Sequence, residues 1–216
     1  ASQCIGEAIR SVVAQTAPGA EIIVIDDGST DDTGKVAQAA ARTITLVRQE
    51  NRGPSAARNR GLEIAQSELV AFLDADDVWM PTKIARQLPC VGNGASGVAT
   101  SFEIVDEAAH SRQTCLVEDA RLRELSPLDF VVSPQLTPST LLIDRRVASD
   151  VAFPEEIVDG EGEDLVFAGL LRAKGTLRAV EDVLVLRRRH ASQLTQRIGH
   201  FAGSVRSRAD WIHCNW

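Results

Sequence analysis

An α/β fold built on a parallel, doubly wound sheet is what the sequence predicts, and three observations predict it. Short β-branched runs at residues 21–26 (EIIVID), 44–47 and 69–73 (LVAFL) alternate with stretches of helical periodicity. The connections between them are short and carry Gly or Pro. Acidic clusters stand directly after two of the strands, at Asp26-Asp27 and at Asp74 to Asp77. Alternation of this kind places parallel strands between covering helices, and such sheets bind ligands outside the carboxyl ends of their strands.

The elements follow in order. Ile5, Ala8, Ile9, Val12 and Val13 repeat at helical spacing over residues 5–15, and Pro18-Gly19 breaks the chain. The run 21–26 is expected as a strand buried on both faces. A helix over 30–41 is expected to be capped by Ser29 or Thr30, with acids in its first turn. Residues 44–47 form a second strand; after Asn51-Arg52-Gly53-Pro54 a helix runs from 55 to 66, and 69–73 is a third buried strand. The second half has an α+β pattern: strands at 96–105, 114–117, 139–143, 177–180 and 183–186, and helices at 165–173 and 201–211. Residues 1–105 and 106–216 are read as two halves of one domain.

Composition bounds the function. The 216-residue chain is 44% hydrophobic and 25% charged, as in an ordinary globular protein. A net charge of −7, 4% aromatic content and no Tyr exclude a general nucleic-acid binder. Cys4, Cys90, Cys115 and Cys214 lack the paired spacing of a zinc or redox site, so reduced thiols and a cytoplasmic setting are expected. No apolar run approaches the roughly 18 residues of a membrane span. The chain starts without Met and is read as a piece of a longer one or a trimmed one.

Asp74-Ala75-Asp76 emerges from a buried strand. Carboxylates about 5 Å apart repel by roughly 3 kcal/mol at an effective dielectric near 20, and Asp77 adds to the strain. A divalent cation relieves it, and hard oxygen ligands suit Mg²⁺ or Mn²⁺; the alternative is an Asp-rich turn capping the next helix. Asp26-Asp27-Gly28-Ser29-Thr30 allows two readings of the same kind: carboxylates that accept from a base or ribose, or an Asx-type turn. Trp79, just after this turn, is read as packing beside the acids, with stacking on a ligand ring as the lesser option. The late arginines Arg187, Arg188, Arg189, Arg197, Arg206 and Arg208 read as a solvated basic face; for Arg187 to Arg189 the alternative is a neutraliser of diphosphate, with strand alternation aiming only some of the three inward.

EIIVIDDGSTDDT followed by QENRGPSAARNRGLEIAQSELVAFLDADDVWMP resembles the glycosyltransferase family 2 type of GT-A fold over residues 4–88. Weaker resemblance continues through TPSTLLIDRR, GEGEDL and RRRHASQLT. It implies a Rossmann-like mixed sheet flanked by helices, with a smaller α+β acceptor portion. It further implies inverting transfer of a hexosyl-type sugar from a nucleotide-diphosphate donor, a UDP-sugar above all, to a hydroxyl on a glycan, lipid-linked or small-molecule acceptor, with Mn²⁺ or Mg²⁺. By the same resemblance Asp26 and Asp27 hold base and ribose, Arg58 contacts the nucleotide, and Asp74 lies near the ribose. Asp76 coordinates the metal with Asp74, and His190 approaches the metal or diphosphate. Asp164 is the implied catalytic base, with Glu163 in reserve; the chemistry needs a carboxylate there to take the acceptor's proton. The family's hydrophobic first strand is not among these residues, so the resemblance implies a base pocket short of one wall.

Three other readings are weighed. A receiver-type phosphoacceptor domain needs a strand-end Lys, and none occurs between Lys83 and Lys174. A sugar nucleotidylyltransferase needs a Gly-rich phosphate loop, which is not visible. A non-catalytic nucleotide-sugar-binding relative would lack the base. Peripheral contact with an anionic inner-membrane face through the late arginines is expected to give salt-sensitive liposome flotation; flotation that ignores salt, or none, removes that contact.

Overall fold

The computed structural model describes residues 1–17, 19–106, 110–131, 136–157 and 162–189. The helix expected over 201–211, together with Pro18, Glu161, His190, Arg197, Arg206, Arg208 and Cys214, lies outside the described residues. Helices α1 (Ile5–Val13), α2 (Thr33–Ala40) and α3 (Pro54–Ile64) alternate with strands β1 (Ile23–Asp27), β2 (Thr45–Gln49) and β3 (Leu69–Ala71). Then come β4 (Val78–Trp79), α4 (Lys83–Gln87), β5 (Ala95–Asp106), β6 (Ser111–Cys115) and α5 (Asp119–Glu124). The last described elements are β7 (Leu142–Asp144), α6 (Glu163–Lys174) and β8 (Thr176–Arg189).

The strands form two sheets rather than one parallel sheet. β1 and β2 pair in parallel. The larger sheet is mixed, in the order β3-β7-β5-β8-β4, with β6 added to β5. β3 pairs antiparallel with β7, and β4 with β8, so strands of the second half carry those of the first. Among the described residues no strand pairs with the second edge of β1 or of β3. That explains one departure from expectation: Ile23, Val24 and Ile25 are only half-buried, as are Leu69, Val70 and Ala71.

Three local expectations are also corrected. Neither Ser29 nor Thr30 caps α2: the Ser29 N–H donates to Asp26 at 2.9 Å, and the chain turns on to Asp31, which accepts from both the N–H and the hydroxyl of Thr33. Residues 138–140 make a 3₁₀ turn before β7 instead of extending it. The two strands expected over 177–186 are one, because Glu181 and Asp182 form a bulge between Thr100↔Val180 and Ser101↔Val183. Both acids are exposed there; Asp182 pairs with Arg86 and Glu181 accepts from the Asp119 N–H.

The main core lies between the mixed sheet and α6. Phe153 stacks on Phe167 with centroids 3.7 Å apart, and Phe72 meets both edge-on at 5.2 and 5.7 Å. A second core forms around Trp79, Phe102 and Val185, and a lysine lies against its Trp79. Lys83 is wholly buried, its amine 4.2 Å above the Trp79 ring and donating to Gln87 Oε1 at 2.9 Å. Trp79 is therefore packing, as the sequence suggested, and not a sugar platform.

Burial pushes the Lys83 amine well below the usual lysine range. In the unfolded chain it binds a proton up to its ordinary value of 10.5, so folding releases that proton. Stability owed to this group must therefore rise as pH climbs from the depressed value toward 10.5. Thermal melts of the wild type and Lys83→Met across pH 6 to 10 are expected to show the wild type gaining on the variant as pH increases; parallel curves would mean that Lys83 titrates normally.

Candidate active site

The acidic turn, α3 and the start of α6 converge on one side chain. Arg58, in the middle of α3, is 14% exposed and bridges two acids: Nη2 donates to Asp74 Oδ1 at 2.9 Å and Nη1 to Glu163 Oε1 at 3.3 Å. Its guanidinium lies 5.2 Å from the centroid of Phe153. Arg58 is therefore not an exposed helix arginine. The next residue, Asn59, works on the same junction. Its side-chain amide accepts the Phe153 N–H at 2.7 Å and donates to the Phe153 carbonyl at 2.9 Å and to Glu155 at 3.0 Å. Sequence reasoning missed Asn59, although its place beside Arg58 in ARNRG was the signal.

Asp74 and Asp76 stand beyond the carboxyl end of β3, in a turn closed by the Asp77 N–H on the Asp74 carbonyl at 3.1 Å. The Asp74 N–H donates to the Ser139 hydroxyl at 3.1 Å. Asp77 is 2% exposed, with its Oδ1 buried and without a hydrogen-bond partner. Burial first, then the charges of Asp74 and Asp76, push its carboxyl up to about 8, against the opposing pull of Ser139 and Arg187.

Glu163 and Asp164 open α6, whose N-cap Gly162 has φ 103°. They divide the work. Glu163 is buried and tied to Arg58. Asp164 is partly accessible yet surrounded by protein, and its Oδ1 accepts the Leu165 N–H at 2.9 Å. Burial, then the neighbouring Glu163 charge, raises its carboxyl to about 7, with Arg58 and Arg187 pulling the other way. Arg187 thus faces this cluster, while Arg188 pairs with Glu7 of α1 at 2.5 Å and Arg189 is exposed. The alternation expected of the arginine run is realised.

Asp26 and Asp27, at the end of β1, build the neighbouring loop. Asp26 is 5% exposed and accepts the Ser29 N–H. Asp27 accepts from Gln49 at 2.8 Å, from the Arg52 N–H at 3.0 Å and from the Gly53 N–H at 2.8 Å, which draws residues 51–53 over the strand end. Gly28, at φ 76°, allows that approach: a Cβ there would sit 2.8 Å from the Asn51 nitrogen. A carboxylate offers about four acceptor sites, so Asp27 keeps capacity for one further donor.

Among the described residues no three His, Cys, Asp or Glu side chains are arranged to hold a metal ion. Mg²⁺ and similar ions use one or two carboxylates and take their remaining oxygens from water and phosphate. The pair Asp74 and Asp76, beside the partnerless Asp77 Oδ1, fits such a cation.

Breaking a buried ion pair on one side costs about 3–5 kcal/mol because a charge is left without compensation. Arg58→Met is therefore expected to lower stability by about that amount in urea unfolding, and Arg58→Met/Glu163→Gln to recover part of the loss. A double variant no more stable than the single would show that Glu163 does not depend on Arg58.

Residues 1–149 match the family profile described as glycosyl transferase family 2. The succinoglycan biosynthesis protein ExoU of Rhizobium meliloti is 38% identical over 133 residues, covering 58% of this chain and 38% of that protein. ExoW of the same organism is 32% identical over 180 residues, 74% of this chain and 56% of that one. The putative teichuronic acid biosynthesis glycosyltransferase TuaG of Bacillus subtilis is 30% identical over 162 residues, 69% of this chain and 60% of that one. The chain thus spans about two-fifths to three-fifths of the length of these relatives. Among solved structures, S. aureus TarS 1-349 in complex with UDP-GlcNAc superposes with a TM-score of 0.75 at 21% identity, over 97% of this chain and 63% of that one; the likeness establishes a shared GT-A fold. Profile, relatives and fold agree: the chain belongs to glycosyltransferase family 2.

Proposed function

We propose that this chain transfers a sugar from a nucleotide-diphosphate donor, a UDP-sugar, to a hydroxyl of a growing polysaccharide, with inversion at the anomeric carbon and Asp164 as general base. The observation that carries this reading is the pairing at the start of α6. Arg58 claims Glu163, while among the described residues Asp164 has no ion pair and sits at about 7. A base poised near neutrality is the best compromise between being deprotonated and holding a proton firmly. The UDP-sugar assignment draws support from the TarS complex with UDP-GlcNAc, and the polysaccharide from relatives named for succinoglycan and teichuronic acid biosynthesis.

In this reading residues 1–105 carry the donor and the later half supplies the base. Asp26 and Asp27 shape the loop against the base and ribose, with the remaining acceptor site of Asp27 turned to the nucleoside. Asp74 and Asp76, with His190 as a further candidate, would hold Mg²⁺ or Mn²⁺, which when bound offsets the charge of the leaving diphosphate. Arg187 adds a fixed positive charge beside the same acids. Asp164 takes the acceptor hydroxyl's proton as that oxygen bonds to the anomeric carbon and the bond to the diphosphate oxygen breaks; one displacement inverts the centre. No helix among the described residues is long and apolar enough to cross a membrane.

The test is transfer or hydrolysis of UDP-sugars with Mn²⁺, together with UDP titration by calorimetry. Asp164→Asn is expected to lower kcat about 10²- to 10⁴-fold with UDP affinity unchanged, and Asp76→Asn to weaken the metal-dependent part of UDP binding. Because the ionised carboxylate is the base, kcat/KM of the wild type should rise with pH through about 7 and then level. Undiminished turnover by Asp164→Asn would remove the base assignment, whereas UDP binding with no turnover by the wild type would leave a nucleotide-sugar-binding relative as the reading.

A further inference from the structure

Behind the acidic turn lies a closed ring of buried polar contacts that the transfer chemistry does not use. Lys83, Gln87, Ser139 and Thr140 are all wholly buried. Lys83 donates to Gln87 Oε1, and Gln87 Nε2 donates in turn to the Thr140 carbonyl at 2.9 Å and the Val98 carbonyl at 2.6 Å. The Thr140 hydroxyl and N–H both close on the Thr137 carbonyl, at 2.7 and 3.0 Å, which locks the 3₁₀ turn of residues 138–140. The Ser139 carbonyl accepts the Trp79 indole N–H at 2.9 Å, and the Trp79 ring lies beneath the Lys83 amine, which closes the ring. From it the Ser139 hydroxyl reaches out to the acidic turn: it accepts the Asp74 N–H at 3.1 Å and lies near enough to the Asp77 carboxyl to oppose the rise of its pKa.

Such a network is a poor way to gain stability. Every member is desolvated, and apolar side chains of similar size would pack the same elements at less cost. What hydrogen bonds add is direction, since a satisfied buried network holds each member in one orientation. Here the direction ends at one hydroxyl. Asp74 and Asp76 lie three and one residues before the buried Asp77, so an amide at 74 held by Ser139 and an Asp77 N–H held by the Asp74 carbonyl leave the turn little freedom between them.

We propose that Ser139 is a positioning residue of the donor site: through the Asp74 amide it sets the direction in which Asp74 and Asp76 project, while Trp79 and the Lys83–Gln87 pair hold it from behind. This inference rests on the donor-site reading of the acidic turn, and it assigns a role to the TPST segment that the transfer mechanism leaves idle.

The test uses the whole chain with Ser139→Ala, Ser139→Thr as the conservative variant, and Leu171→Ala as a destabilised control in the core under α6. Two quantities are read: hydrogen exchange of peptides covering residues 70–80, and the dissociation constant for UDP with Mn²⁺. Leaving a desolvated N–H unsatisfied costs about 1–3 kcal/mol, or about 5- to 150-fold. Ser139→Ala is expected to speed exchange in the turn and weaken UDP binding by about tenfold, Ser139→Thr to restore most of both, and Leu171→Ala to lower Tm while moving neither. Should Ser139→Ala not fold, Trp79→Phe removes the indole donor but keeps a ring beneath Lys83, and the same two shifts are expected at smaller size. A foldable variant that lowers Tm yet leaves exchange and affinity at wild-type values overturns the proposal. A wild-type chain that binds no UDP overturns the donor-site reading instead, and exchange in residues 70–80 then decides whether Ser139 sets the turn.

Discussion

The bridge from Arg58 to Asp74 and Glu163 is the contact on which the rest of the site depends. It ties the first-half strand end to the N-terminus of α6 with one guanidinium that is nearly out of solvent. A planar fork with five donors can serve two carboxylates at once, where a lysine would serve one as a point charge. The residues around it reinforce the same junction. Asn59 binds the backbone of Phe153, Phe153 lies under the guanidinium, and Phe167 of α6 stacks on Phe153. Chemistry that needs a donor at β3 and a base at α6 is thus assembled by packing as much as by charge.

The bridge also differentiates acids that are alike in sequence. Glu163 and Asp164 are adjacent carboxylates at a helix start, where the macrodipole favours the ionised form of either. Tying one to Arg58 leaves the other with a buried setting and a like-charged neighbour, and these raise it toward neutrality against the opposing pull of the Leu165 N–H. The same logic holds at the other cluster. Asp74 is neutralised by Arg58, whereas Asp77 is buried with one oxygen unpartnered. Burial holds that second acid toward its neutral form, while the paired one stays ionised.

Beneath these charges the fold is a compromise between two sheets. β1 and β2 stand apart as a parallel pair, while β3 and β4 are carried by β7 and β8. Strands from the first half of the chain are thus held by pairing with strands from residues 142–189. The long β5–β8 pair runs through the centre and delivers Arg187 to the site at its far end. A bulge at Glu181 and Asp182 lets β8 pass two surface acids without breaking its pairing.

Much of this was legible along the chain. Helical spacing located α1 to α3, β-branched runs located β1 to β3, and the strand-end acids pointed to where a ligand would sit. These are local properties, written within a few residues. Motif spacing identified the family for the same reason. Tertiary structure alone decided which acid is bridged, because the Arg58–Glu163 contact joins residues 105 apart. It decided equally that Asn59 clamps Phe153 across 94 residues, and that Ser139 meets Asp74 across 65. It also split the expected single sheet, since an apolar run specifies that a strand will form but not which edge it will pair with. The sequence by itself determined what the elements are and which side chains carry charge; only folding determined which charges are cancelled and which are left to act.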